Sequence, residues 1–161
     1  METTRNGNFS SSMIHLLMKR DKQGGFGAPA LNYIREKRYE LRLGRSINSD
    51  HSARSTTWGT FLENRAFELM PMNYKLESKE RLAHPTIKHW TGAPDLNAED
   101  VVCDIKCPYT LKSFCETVDS LVDVETFKSV RPDAYWQLVS NAILTGKDQA
   151  EIIVYCPYQS V

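Results

Sequence analysis

The 161-residue sequence predicts an α/β or α+β architecture: a small mixed β-sheet flanked by helices. Three observations carry this. A helix-like stretch is opened by Pro29 and closed by Gly44, placements that suit both residue types. A short run from Val101 to Cys107 alternates and is stopped by Pro108, as a strand would be. Helical patterns then return until Gly146, and a last apolar run, Glu151 to Cys156, follows. The order helix, strands, helices, strand fits layers packed on a mixed sheet.

The elements follow in order. Ser10, Ser11 and Ser12 can cap a short helix from Met13 to Lys19. Gly24 to Gly27 reads as a flexible loop. In the helix opened by Pro29, Leu31, Ile34 and Leu41 form an apolar stripe at helical spacing. Arg35, Lys37, Arg38, Arg42 and Arg45 leave the remainder strongly basic. A polar loop spans Asn48 to Ser55. The next helix runs from about Trp58 to Met70 and should bury Trp58, Leu62, Ala66 and Leu69. Tyr74 to Ser78 and Thr86 to Thr91 read as strands ahead of the Val101 strand. Leu111 to Val122 and Val124 to Leu144 read as helices, the second interrupted at Arg131 and Pro132. The closing strand, Glu151 to Cys156, should be well buried.

The length suits one domain, 1–161, with a basic helical part at 1–54 and the remaining core at 55–161. Twenty basic and twenty acidic residues cancel overall. Residues 1–54, however, hold ten Lys/Arg against five Asp/Glu, and residues 55–161 hold ten against fifteen. Such a split suits a basic cradle beside an acidic, metal-binding centre, although ordinary surface scatter gives the same count. No apolar run approaches the ~18 residues of a membrane span, and Met1 to Thr4 does not open a signal peptide. Cys103, Cys107, Cys115 and Cys156 sit in or beside apolar segments and fit reduced core thiols of a cytoplasmic protein. No Cys-x-x-Cys pair supports zinc, and His84 and His89 read as polar surface.

The chemistry concentrates in Gly92, Ala93, Pro94 and Asp95, followed nine residues later by Asp104, Ile105 and Lys106. Alternation along a strand puts Asp104 and Lys106 on one face, where an acid and a base can hold a metal and a nucleophilic water side by side. Gly92 and Pro94 permit a bend that turns Asp95 toward the same strand. This suits divalent-metal hydrolysis of a phosphodiester. The alternative for Asp-x-Lys alone is a cross-strand ion pair on a solvated edge.

With its neighbours the pattern resembles the PD-(D/E)XK nuclease superfamily, and more narrowly the lambda-exonuclease/YqaJ-like viral recombinase nucleases. The resemblance runs through Arg5 to Ser12, Tyr33 to Lys37, Glu40 to Gly44, Trp58 to Glu63, Gly92 to Asp95, Asp104 to Pro108, and Tyr135 to Gln137. It departs where Asp104 replaces the more usual Glu. It also departs where the chain stops soon after its last strand. It implies a restriction-endonuclease-like core and an Mg²⁺- or Mn²⁺-dependent deoxyribonuclease. Asp95, Asp104, the Ile105 carbonyl and Glu63 would bind the metal, hard oxygen ligands for a hard cation. Lys106 would orient or deprotonate the attacking water, Gln137 would bond near the lysine or phosphate, and Tyr135 would brace its helix beside the DNA. On spacing alone, Thr60-x-x-Glu63 favours a capping box instead, and Trp136 reads as a core aromatic.

The resemblance also implies that Arg5 and Ser12 hold a DNA-end phosphate, while Arg35, Arg38, Arg42 and Arg45 track the backbone or form a solvated helix face. The expected function is a phage-type exonuclease degrading duplex DNA from its ends for recombination, encoded by a bacterium or phage. Double-stranded DNA is the implied partner. A single-strand annealing protein could join it, the protein would be a homo-oligomer, and no membrane is involved. The alternatives are a non-catalytic DNA-binding or assembly protein of the same fold, and a structure-specific or restriction-type endonuclease.

Overall fold

The computed structural model describes residues 6–47, 54–70, 75–76 and 81–157. Arg5, the 48–53 loop and the flanks of the strand placed at Tyr74 to Ser78 lie outside the described residues. The fold is mixed α+β, with helices flanking two small sheets rather than one.

Strand β1 (Phe9–Ser10) leads into a 3-10 helix over Ser11–Met18, two residues earlier than the short helix expected from Met13. Ser10 makes no side-chain cap; its hydroxyl and that of Ser12 bond each other at 3.2 Å. Helix α1 (Ala28–Leu43) ends at Gly44, whose φ of 66° is the left-handed cap glycine accepts without strain. Its inward face is not the predicted stripe. Ala30, Tyr33 and Glu40 are buried, while Leu31 and Leu41 are exposed. A carboxylate can take that place because it is fully occupied: Glu40 accepts from the Gly7 N–H (2.9 Å), the Lys37 ammonium (2.9 Å) and the Ser46 hydroxyl (3.3 Å).

Helix α2 (Arg54–Glu68) starts earlier than the apolar spacing suggested. Leu62 and Ala66, one turn apart, are buried as predicted, but Leu69 is exposed. The N–H groups of Leu69 and Met70 bond back to Ala66 and Phe67, and this tighter three-residue turn carries Leu69 off the face.

Strands β2 (Lys75–Leu76), β5 (Leu96–Asn97), β6 (Val101–Lys106) and β7 (Gln149–Val154) form one sheet in that order. Central β6 runs antiparallel to β5 and parallel to β7, with Leu96 opposite Cys103 and Asp104 opposite Ile152. Its odd-numbered side chains, Cys103 and Ile105, join Ala66 of α2 and Leu96 in one apolar cluster. The opposite face receives helices α4 (Val124–Val130) and α5 (Pro132–Thr145), whose Phe127, Ala134 and Leu138 pack with Ile152. The break between α4 and α5 falls at Arg131 and Pro132, as predicted, and α5 ends at left-handed Gly146. Helix α3 (Leu111–Asp119) is capped by Thr110, whose side chain accepts from the Ser113 N–H, and a short 3-10 turn continues it to Val122. Strand β7 is an edge strand, exposed over its first half, not the buried strand expected.

The second sheet sets β4 (Trp90–Gly92) between β1, which runs parallel to it, and antiparallel β3 (Leu82–Ala83). Thr86 to His89, expected as strand, is a turn. The His84 Nδ1 accepts from the Thr86 and Ile87 N–H groups, and His89 sits at φ 63°. His84 also stacks on Trp90, with ring centroids 4.7 Å apart, so it is more than polar surface, whereas His89 is exposed as expected.

Gly92 ends β4 just ahead of Asp95 for a packing reason. A Cβ there would meet the Ser11 hydroxyl, Leu144 Cδ1 (2.6 Å) and Asn141 Oδ1 (2.8 Å). Three packed side chains would have to shift at once. Gly92→Ala should therefore cost about 1–3 kcal/mol of stability. Urea denaturation checks this, and an unchanged midpoint would show that the neighbours give way freely.

Candidate active site

Alternation in β6 sends Val102, Asp104 and Lys106 toward α5. Asp104 is 0 % exposed, so the solvated-edge reading does not hold. Its Oδ1 accepts from the Gln137 Nε2 at 2.7 Å, and the Gln137 Oε1 accepts from the Lys106 Nζ at 2.9 Å. The Lys106 ammonium closes the ring as an ion pair with the Asp104 Oδ2 at 2.5 Å. Only one amide orientation serves both neighbours: NH₂ toward the carboxylate, C=O toward the ammonium. That Oδ2 is buried and makes no directed hydrogen bond, the Lys106 ammonium being its ion-pair partner.

Asp95 arrives from the other side. The β5–β6 register pairs Leu96 with Cys103, so one step further Asp95 falls opposite Asp104. Its Oδ2 accepts the Ile105 N–H at 2.8 Å, continuing the ladder with a side chain where the backbone pairing ends. N–H and C=O of an extended residue point the same way, so the Ile105 carbonyl also faces Asp95. The Lys106 carbonyl points oppositely and accepts from the Tyr155 N–H of the β7 side at 2.9 Å.

Burial, and then the negative charge of Asp104, push the Asp95 carboxyl up to about 7. The Ile105 N–H pulls it down, Glu63 raises it further, and Lys106 opposes. Glu63 is thus electrostatically part of the centre. It lies in the third turn of α2, well inside a helix that begins at Arg54, so the capping-box reading fails. Burial also raises the Cys107 thiol to about 11, helped by Glu63 and Asp95. A protonated thiol is neither a nucleophile nor a soft-metal ligand.

Among the described residues, no three His, Cys, Asp or Glu side chains converge as a metal-binding group. The oxygens in place are those of Asp95, Asp104 and the Ile105 carbonyl, with Glu63 further back. That set fits a hard cation that keeps several waters and takes one or two carboxylates.

The other predicted residues stand apart. Ser12 lines a cavity of about 310 Å³, together with Asn6, Asn8, Ser10, Tyr33 and Lys37. Arg35, Arg38, Arg42 and Arg45 are exposed on and just after α1 and are not drawn into the carboxylate centre. Tyr135 packs against the Phe127, Ala134 and Leu138 cluster. Cys103 and Cys156 are buried, but Cys115 is exposed rather than a core thiol.

Sequence reasoning missed Ser140, one turn beyond Gln137. Its hydroxyl accepts from the Trp90 indole (2.8 Å) and meets the Ser11 hydroxyl (2.8 Å), tying α5 to β4 and the N-terminal segment. The pair Ser140 and Asn141, set between Leu138-Val139 and Ala142-Ile143 in a helical stretch, was the available signal. Trp136 was read as a core aromatic. It is half-buried, and neither apolar cluster includes it.

No family model and no curated protein matches this chain. Its fold is that of exonucleases of known structure. The alkaline exonuclease LHK-Exo of Laribacter hongkongensis superposes with a TM-score of 0.74 at 22 % identity, over 96 % of this chain and 72 % of that one. Its complex with dAMP gives 0.75 over the same shares. A phage-related exonuclease of Haemophilus somnus gives 0.72 at 20 % identity, over 92 % and 68 %. Among the described residues, no helix is long and apolar enough to cross a membrane.

The Asp95 carboxyl titrates higher in the folded chain (about 7) than an ordinary aspartate at 3.8. Its contribution to stability is therefore fully present below pH 4 and is lost as pH rises to about 7, where the unfolded chain has already released the proton. Asp95→Asn removes that dependence. Relative to Asp95→Asn, the metal-free protein should lose on the order of 2–4 kcal/mol between pH 4 and pH 8. Denaturant titrations at the two pH values check this, and parallel pH dependence in both proteins would refute the burial of an isolated charge.

Proposed function

We propose that this chain is a metal-dependent deoxyribonuclease of the PD-(D/E)XK type that degrades duplex DNA from its ends. The observation that carries the reading is the closed ring of Asp104, Gln137 and Lys106 beside a second, half-buried carboxylate, Asp95, forced toward neutrality. A merely structural core has no reason to oppose two carboxylates across one strand pair, since repulsion costs stability. Exonucleases sharing the fold support the reading.

Asp95, Asp104 and the Ile105 carbonyl would hold Mg²⁺ or Mn²⁺, with Glu63 completing the shell directly or through water. Such a cation makes a bound water acidic and offsets charge developing on the phosphate. The protein's own part is positional. Gln137 holds the Lys106 ammonium at the edge of the carboxylate pair, where it can orient the attacking water and stabilise phosphate charge. Asp95 loses its proton as the cation arrives, so cation affinity should be proton-linked. The half-buried Lys106 reaches solvent, and hence substrate, while Asp104 beneath it does not.

The exonuclease part of the reading rests on Ser12, which lines a cavity that also holds Lys37, Glu36 and Glu40 and would take a strand terminus. Exposed Arg35, Arg38 and Arg42 would follow the phosphate backbone by charge alone. A phage-type recombination role, a homo-oligomer and an annealing partner belong to the same reading.

Incubation with linear and closed-circular duplex, with and without Mg²⁺, tests it. Metal-dependent loss of linear duplex only is expected. Asp104→Ala and Lys106→Ala should each slow it by roughly 10³-fold or more, several kcal/mol of transition-state stabilisation, while the chain stays folded. Near-normal turnover in either variant would overturn the assignment. Equal digestion of the closed circle would leave an endonuclease on the same residues.

A further inference from the structure

Beside the catalytic ring lies a cluster of cation and aromatic rings that the hydrolytic reading does not use. Trp136 precedes Gln137 on α5, so its backbone is one peptide unit from the residue that positions Lys106. Its ring meets Tyr135 edge to face, with centroids 5.1 Å apart. The two rings differ in their surroundings. Tyr135 is packed against the Phe127, Ala134 and Leu138 cluster, whereas Trp136 is in neither apolar core and stays half-buried.

Lys128, from the neighbouring α4, sets its ammonium 5.5 Å from the Tyr135 ring centre and 5.8 Å from that of Trp136. Among the described residues no carboxylate pairs with it. The adjacent Arg131 is otherwise engaged: its guanidinium bonds both Asp133 oxygens (3.3 and 3.2 Å) and the Thr117 hydroxyl (2.5 Å), bracing the α4–α5 break against α3. The free cation of this patch is therefore Lys128.

A half-buried indole with an ammonium 5.8 Å from its centre and no carboxylate on that ammonium matches the two repeating parts of a nucleic-acid strand. A base has a π-face to lay on an indole, and its phosphate is an anion for the lysine. Sequence tolerance follows, because every base can stack.

We propose that Trp136 and Lys128 form a stacking platform for an unpaired nucleotide of single-stranded DNA beside the carboxylate centre. The choice of DNA as ligand rests on the nuclease reading. The platform holds a strand that has left the duplex, Trp136 by its ring and Lys128 by its charge. Tyr135 fixes the indole's edge, and packing of α5 on Ile152 fixes the helix.

The test is binding of fluorescently labelled oligothymidylate to the full-length, metal-free chain, read by anisotropy across a salt series. Trp136→Ala should weaken binding about tenfold, while Trp136→Phe, which keeps a ring, should stay within about threefold of the unaltered chain. Lys128→Ala should also weaken binding and lower the log-log salt slope by about one, and Lys128→Arg should restore it. Circular dichroism confirms the fold of each variant. Should Trp136→Ala not fold, the lysine pair alone decides. Affinity within twofold of the unaltered chain for folded Trp136→Ala, or an unchanged salt slope for Lys128→Ala, overturns the platform. Metal-dependent cleavage by the unaltered chain, measured in parallel, separates the two ideas. Cleavage with unaffected binding by the variants removes the platform alone. Loss of binding in the variants, with no cleavage by the parent, removes the hydrolase alone.

Discussion

A carboxylate buried in a sheet interior must be answered, and here the answer organises the molecule. Asp104 takes the Gln137 amide on one oxygen and the Lys106 ammonium on the other. For Gln137 to reach it, α5 must lie across the Asp104 face of β6, and its Ala134 and Leu138 seal that face with Phe127 and Ile152. Breaking one partner of such a set leaves a desolvated charge unpaired, which costs more than the contact itself gains. Ser140 then repeats the logic one turn on, where its hydroxyl collects the Trp90 indole and the Ser11 hydroxyl. Helix α5 is thus pinned to both sheets by polar contacts, and the N-terminal segment that presents Ser12 is pinned with it.

Asp95 has the opposite character. It receives a single N–H from Ile105 and faces the negative charges of Asp104 and Glu63. The site is therefore rigid at Asp104 and electrostatically strained at Asp95. Strain of that kind is relieved by a proton or by a cation, and a divalent cation does so for both carboxylates at once. Glu40 shows the contrast elsewhere in the chain: more deeply hidden than Asp95, it is satisfied by Gly7, Lys37 and Ser46 and serves as a clamp between segments.

What could be read in advance was what local periodicity encodes. The period of two put Asp104 and Lys106 together, Gly44 and Gly146 marked helix ends, and Pro132 marked the α4–α5 break. The errors are non-local. Leu31 and Leu41 form a good stripe in isolation, but Gly7 and Ser46 make burial of Glu40 affordable, so α1 turns another face inward. Thr60 and Glu63 have capping spacing, yet α2 begins six residues before Thr60, and no apolar residue marks that start. Thr86 to His89 looked extended because a histidine side chain accepting two backbone N–H groups has no periodic signature. Gly92 was expected to serve a bend; its role is close approach to Ser11 and Asn141. Trp136 looked like core because aromatic residues usually are. Which face of α5 meets the sheet decides the matter, and Gln137 sets that face.

The central claim is that Asp95 and Asp104 are one cation seat. Calorimetric titration of Mn²⁺ into the metal-free chain near pH 7.5 tests it most directly. The account predicts a site that Asp95→Asn and Asp104→Asn each weaken by about 100-fold or more, and that Glu63→Gln, acting from further back, weakens by about tenfold. Mn²⁺ binding that survives both aspartate substitutions unchanged would contradict it.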